Sequence, residues 1–95
     1  MNKHALKFLR GISHDLSPVV MVADKGLTEN VMNEIDNALD LHELIKIKIR
    51  MDKVTRNEFI DKIIQQTKAT KVHSIGQTLT IFRHNPKNPQ YDLSL

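Results

Sequence analysis

The chain has no cysteine, no tryptophan and few aromatic residues. Without cysteine, disulfides and thiolate metal sites are excluded, which fits a reducing cytosol. Three Phe and one Tyr are too few for a platform that stacks single-stranded bases. No stretch reaches the roughly 18 apolar residues of a membrane span, and the N-terminus lacks the long apolar segment of a signal peptide. We therefore expect a cytoplasmic protein that does not bind a membrane.

Sequence motifs for catalysis and metal binding are also missing. With only three glycines, the chain contains no P-loop and no G-x-G-x-x-G motif. None of its five histidines lies in H-x₃-H or H-E-x-x-H, and no serine lies in G-x-S-x-G. We expect no enzymatic activity, no metal ion, no cofactor and no small-molecule substrate. A small hydrolase is the weakest alternative.

What the chain does contain is enough for one folded domain. It has 95 residues, of which 40% are hydrophobic, so one modest core is possible. Its net charge of +3 is mild, and only the grouping of the cations would point to nucleic acid. We expect a monomer in which residues 1–84 form the domain. Residues 85–95 contain two prolines and should form a loose tail, with Tyr91 and Leu93 as candidates for docking.

The apolar pattern predicts seven elements in the order αβαβαββ. Helices are expected over residues 3–16, 28–41 and 55–68, and strands over 19–22, 44–50, 72–75 and 79–83. Thr28 is the predicted N-cap of the second helix, and Thr55 with Glu58 forms a capping box for the third. Right-handed crossovers would place these two helices on one face of the sheet. The predicted fold is thus α/β, an α+β two-layer sandwich with a four-stranded mixed sheet that is partly exposed.

The second strand carries a row of cations. Isoleucines alternate with basic residues, so that a period of two places the isoleucines on one face and three cations on the other: Lys46, Lys48 and Arg50. This row either binds an anionic partner or discourages strands from pairing at the sheet edge. The residues alone leave both interpretations open.

The first helix carries a second cationic row. Lys3, Lys7, Arg10 and His14 recur at helical spacing, which predicts one stripe on the side opposite the apolar face. Such a stripe is either a solvated surface or a ridge that faces phosphates. The spacing does not decide between them.

Residues 23–26 join the first strand to the second helix. At a helix N-terminus the first N–H groups are unpaired and the dipole is positive, which favours phosphate binding. Gly26 permits close approach and a positive φ, and Lys25 adds a cation. Asp24 and Glu29 bring opposing negative charge. By residue chemistry alone, a plain connecting loop is slightly favoured over a phosphate site.

Three segments together resemble a known family. They read VVMVADKGLTENV, HELIKIKI and VHSIGQTLTIFR, within a resemblance that covers about residues 6–83. In this order and spacing they resemble the CRM domain (chloroplast RNA splicing and ribosome maturation) in its stand-alone, YhbY-like bacterial form. The resemblance implies a fold similar to the C-terminal domain of translation initiation factor three. It also implies RNA binding, with ribosomal RNA or large-subunit precursors as partners during ribosome assembly.

In that family the loop after the first strand usually reads G-x-x-G and is compared with the phosphate-clamping loop of KH domains. Here Ala23 replaces the first glycine, which would be unfavourable if that position needs a positive φ. We therefore expect the cationic rows to supply more affinity than the loop. The predicted RNA-binding residues are Lys3, Lys7, Arg10, Asp24, Lys25, Gly26, Lys46, Lys48, Arg50 and Arg83. The alternative is a protein-interaction module that docks a ribosomal protein on the open sheet face.

Overall fold

The predicted order of elements is present in the computed structural model, which describes residues 1–93. In this part of the chain the helices are α1 (Lys3–Ser13), α2 (Glu29–His42) and α3 (Lys53–Thr67); the strands are β1 (Val20–Val22), β2 (Leu44–Ile49), β3 (Thr70–Ile75) and β4 (Thr78–Phe82). The strands form one sheet in the order β1-β2-β4-β3. β1 pairs parallel with β2, and both pairings of β4 are antiparallel. The predicted four-stranded mixed sheet is confirmed.

The main core lies between the sheet and the pair α2 and α3. Ile45, Ile47 and Ile49 of β2 are buried and belong to the same cluster as Ile35 of α2 and Ile63 of α3. Alternation along β2 thus directs its isoleucines into the core, as predicted. It also turns the intervening lysines toward the opposite face of the sheet.

α1 packs on that opposite face. Leu9 is fully buried against Leu44, Val72 and Phe82, which form a second cluster. Leu44 and Phe82 are neighbours in the register of β2 and β4, so α1 covers one end of this face. The sequence did not assign α1 to a face. The structure shows that it adds a partial third layer and leaves the other end of the sheet open.

The N-cap of α3 differs from the prediction. Thr28 does cap α2, since its hydroxyl accepts from Val31 N at 3.2 Å. α3, however, begins at Lys53 because Asp52 accepts from Thr55 N at 2.8 Å. The Thr55 hydroxyl donates to the same carboxylate at 3.0 Å instead of capping a helix of its own. A carboxylate is at least as good a cap as a hydroxyl, so the helix starts one turn earlier than the capping box suggested.

Glu43 fastens the segment that was predicted to be a loose tail. Glu43 is the C-cap of α2; its side chain is fully buried, and its backbone has φ +60°. The carboxylate accepts backbone N–H groups from Asn85 at 2.6 Å, Gln90 at 2.5 Å and Tyr91 at 3.2 Å. It also lies 2.9 Å from His84 Nδ1. The described part of the tail is therefore tied to the domain rather than loose.

Apolar contacts support the same attachment. Tyr91 and Leu93 pack against the α1 cluster, which confirms them as docking residues. The last two residues of the predicted tail lie outside the described residues. Burial alone would raise the pKa of Glu43, but the N–H donors of Asn85, Gln90 and Tyr91, with His84, outweigh it and lower the pKa below its usual value. The carboxylate is thus held in its charged form.

Candidate nucleic-acid interface

The row of cations on β2 lies on the open end of the sheet. Lys46 and Lys48 are half-buried and pair in register with Thr80 and Thr78 of β4. Arg50 follows directly after the strand and is exposed. Residues two apart on a strand are separated by about 7 Å, so this row is roughly 13 Å long. The predicted row is present on one face of the sheet.

Apolar side chains flank these lysines. Met21 is the register partner of Lys48 on β1, and Ile75 lies across Thr78 on β3. Val19, Met21 and Ile75 are 51%, 51% and 61% exposed. The open face therefore combines cations with exposed apolar contacts, a composition suited to a macromolecular partner.

The stripe on α1 meets the β2 row. Arg10 Nε donates to the backbone carbonyl of Val72 in β3 at 3.2 Å, while Lys3 and Lys7 are exposed along the helix. His14 lines a groove together with Lys46. The stripe was predicted to point directly away from the apolar face. Instead its C-terminal members lean onto the sheet, since the apolar face of α1 packs on only one end of it.

The groove joins the two rows. It encloses about 200 Å³, and its polar lining comes from Ser13, His14, Lys46, His73, Thr78 and Thr80. Burial, followed by the charges of Arg10, His14 and Lys46, lowers the pKa of His73. The predicted RNA-binding residues did not include His73 or His14. The spacing had already placed His14 in the α1 stripe, whereas nothing local marks His73.

The loop of residues 23–26 is a tight turn. Gly26 N donates to the carbonyl of Ala23 at 2.8 Å, and Gly26 has φ +71° as expected. A Cβ at Gly26 would lie 3.3 Å from the Phe59 ring, so glycine also serves packing here. Ala23 does not have a positive φ, so alanine has no unfavourable backbone conformation at this position. Asp24 and Lys25 are both exposed at the tip of the turn.

The hydrogen bonds of this loop limit its use as a phosphate clamp. Gly26 N is used within the turn, and Thr28 N donates to the Gly26 carbonyl at 3.1 Å. The loop nevertheless lies next to the β2 row, because Arg50 N donates to the Val22 carbonyl at 2.8 Å. Lys25 can therefore extend the row, while the loop backbone has fewer N–H groups to offer.

Arg83 is placed apart from the other predicted site residues. Its Nη1 donates to Asp36 Oδ1 and to the Thr67 carbonyl, both at 2.9 Å, and its Nη2 donates to Asp40 Oδ1 at 3.0 Å. These partners belong to α2 and to the end of α3, on the other side of the sheet. Arg83 thus connects elements within the fold.

Charge is segregated between the two sides of the sheet. α1 and β2 together contain five Lys or Arg residues and no Asp or Glu. Across the sheet, α2 contains four Asp or Glu residues and no Lys or Arg, while α3 beside it is mixed, with three Lys or Arg and two Asp or Glu. Because charges of one sign cover a continuous face, their electrostatic potentials add over that face. This distribution is far more polarised than the net charge of +3 suggests.

Residues 1–93 contain neither a cluster of metal-ligating side chains nor a membrane-spanning helix. This part of the chain holds no group of three or more His, Asp or Glu side chains placed to bind a metal ion. None of its helices has the length and apolar character needed to cross a membrane.

Comparison with known proteins identifies the family. The family model of the CRS1/YhbY (CRM) domain matches residues 1–83. An RNA-binding protein of Haemophilus influenzae is 47% identical over 78 residues, which cover 81% of this chain and 79% of that protein. A probable RNA-binding protein of Pseudomonas aeruginosa is 40% identical over 89 residues, covering 93% and 85%. The solution structure of a hypothetical protein from Staphylococcus aureus has the same fold, with a TM-score of 0.82 and 24% identity over 98% of each chain. The chain belongs to the CRS1/YhbY (CRM) domain family.

Proposed function

We propose that this protein binds structured RNA through one cationic surface, formed by Lys3, Lys7, Arg10, Lys25, Lys46, Lys48 and Arg50. The observation that carries the proposal is the uneven distribution of charge: α1 and β2 contain Lys and Arg but no Asp or Glu, and the acidic α2 lies across the sheet. Relatives that are 47% and 40% identical are named RNA-binding and probable RNA-binding proteins, which supports the same partner here.

The surface favours contacts to phosphates and to RNA shape. Lysine and arginine side chains neutralise phosphates without reading sequence. Aromatic side chains that could stack on bases are scarce, since the chain has three Phe and one Tyr. If all seven cations contact phosphates, the logarithm of affinity should fall with the logarithm of salt with a slope of roughly −5 to −6.

The RNA partner that we propose is ribosomal RNA in a precursor of the large ribosomal subunit, bound during assembly and without chemical change to the RNA. Membership of the CRM family supports this role. The proposal is tested by titrating the protein with structured ribosomal RNA fragments at several salt concentrations. Absence of binding at low salt, or binding that salt does not weaken, would refute it.

Charge reversal localises the interface. Lys46→Glu with Lys48→Glu should abolish RNA binding, because it places two anions in the middle of the cationic surface. Lys62→Glu with Lys68→Glu is the matched control: both lysines are exposed, on or just after α3, and the change in net charge is identical. RNA affinity should stay near the native value in the control. Equal losses in the two variants would mean that only net charge matters.

A second candidate is a module that docks a ribosomal protein on the open sheet face. It is favoured by the exposed side chains of Val19, Met21 and Ile75. The same charge reversal distinguishes the two. Under this candidate, the native protein and the charge-reversed variant both show little binding in RNA titrations. Association with the precursor of the large ribosomal subunit then survives ribonuclease treatment and is weakened by Met21→Ser with Ile75→Ser.

A further inference from the structure

The groove between α1 and the open sheet concentrates basic groups. His14 lines it from the end of α1, Lys46 from β2 and His73 from β3. The charge of Arg10, on α1, also acts on His73. β4 contributes Thr78 and Thr80, which are uncharged. No Asp or Glu is among the described residues that line it. Its chemistry therefore suits an anion of small size.

Two opposing charges near the groove are weaker than its cations. The C-terminal end of α1 adjoins the groove, and a helix end of this kind carries about half a negative charge. Asp15 lies in a neighbouring cavity that also reaches Lys46. Against these stand the full positive charges of Arg10 and Lys46. Arg10 is held in place because its Nε donates to the Val72 carbonyl at 3.2 Å. The balance at the groove is positive.

The protonation of His73 depends on the charges around this groove. Its burial and the cations Arg10, His14 and Lys46 lower its pKa below the usual 6.5, so its imidazole is mostly neutral at neutral pH. A bound anion would offset the same cations and would favour the imidazolium form. Anion binding and proton uptake are then linked, each favouring the other.

We propose that this groove binds one backbone phosphate of the RNA and that His73 takes up a proton as the phosphate enters. The inference rests on the proposed function. The contact between His73 and the phosphate makes RNA binding sensitive to pH. Lys46 supplies the permanent charge, and the imidazolium N–H of His73 donates a charge-assisted hydrogen bond to a phosphate oxygen. RNA binding by this protein therefore strengthens on mild acidification.

The size of the effect follows from linkage. For one linked proton, affinity rises by up to about tenfold for each unit by which the pH falls. This holds within the pH range that lies between the pKa of His73 in the free protein and its pKa in the complex. Over the interval from about pH 8 to about pH 6, we expect His73 to contribute roughly a three- to tenfold gain in affinity. Other histidines add their own gain, so the native protein must be compared with variants.

The test measures RNA affinity across this pH range at constant ionic strength. His73→Gln should remove the three- to tenfold component, since glutamine keeps a polar side chain that cannot be protonated. His4→Gln is the matched control. His4 is exposed near the start of α1, about 15 Å along the helix from His14, farther than screened charges act at physiological salt. The control should retain the three- to tenfold component that is assigned to His73.

A second measurement uses the native protein and needs no RNA. The ring of His73 is titrated by NMR with and without inorganic phosphate, and its pKa should rise when phosphate is present. If RNA binds but its pH dependence is the same in His73→Gln, and phosphate leaves the titration of His73 unchanged, the groove proposal is overturned while the proposed function stands. If no RNA binds at any pH, the proposed function fails. A phosphate-dependent shift of His73 would then still show an anion-binding groove.

Discussion

Glu43→Gln should destabilise the protein by about 3 kcal/mol at neutral pH. The side chain is fully buried, and each carboxylate oxygen accepts two hydrogen bonds: Oε2 from Asn85 N and His84 Nδ1, and Oε1 from Gln90 N and Tyr91 N. An amide has one acceptor oxygen, so two donors would face an NH₂ group. A hydrogen bond to a charged group is worth about 1.5–3 kcal/mol, and two such losses set the expected size.

The assay is urea denaturation of both proteins between about pH 7 and about pH 3. The pKa of Glu43 is lower in the folded protein than its usual 4.5, so its stabilisation is complete above pH 4.5 and is lost as pH falls through the lowered value. The difference between native protein and Glu43→Gln should therefore shrink at acidic pH. Asp52→Asn, at an exposed cap that an amide oxygen also satisfies, should change stability little. A loss below about 1 kcal/mol for Glu43→Gln, or a loss independent of pH, would refute the reasoning.

Three other substitutions test particular contacts. Arg83→Ala breaks the ion pairs with α2 and should lower stability by about 1–2 kcal/mol in urea denaturation. It should leave the salt dependence of RNA binding unchanged. A reduced salt slope would show that Arg83 contacts RNA. Gly26→Ala should cost about 1–2 kcal/mol, because of its φ of +71° and the 3.3 Å approach to Phe59. Ala23→Gly should cost about 0.5 kcal/mol through the unfolded state, and a clear gain in thermal stability would contradict the backbone geometry described for Ala23.

Local patterns were sufficient for most of the fold. In β2 the isoleucines and cations alternate without interruption, and only a strand with one buried face explains that period. Thr28 marked the start of α2, and Gly76, with φ +55°, lies between the strands predicted over residues 72–75 and 79–83. The CRM resemblance rested on segments that include these same residues. The family was thus recognisable from the sequence, as the match over residues 1–83 confirms.

The features that escaped prediction depend on distant parts of the chain. Glu43 looks like a solvated residue at a helix end, yet its partners lie 41 to 48 positions away. His73 gains its setting only when α1 packs beside β3, and no local period assigns α1 to a face. Arg83 was predicted to bind RNA, because the sequence does not show that Arg83 forms ion pairs with Asp36 and Asp40. Tertiary partners decided each of these roles.

The location of the RNA interface is tested most directly by the salt dependence of binding for the native protein and for Lys46→Ala with Lys48→Ala. Each lost phosphate contact should reduce the slope by about 0.7–0.9, so the double variant should have a slope shallower by about 1.5. Lys25→Ala with Gly26→Val, at the loop, should change affinity less. A native slope in the Lys46 and Lys48 variant, with binding abolished by the loop variant instead, would contradict the assignment of RNA binding to the cationic surface.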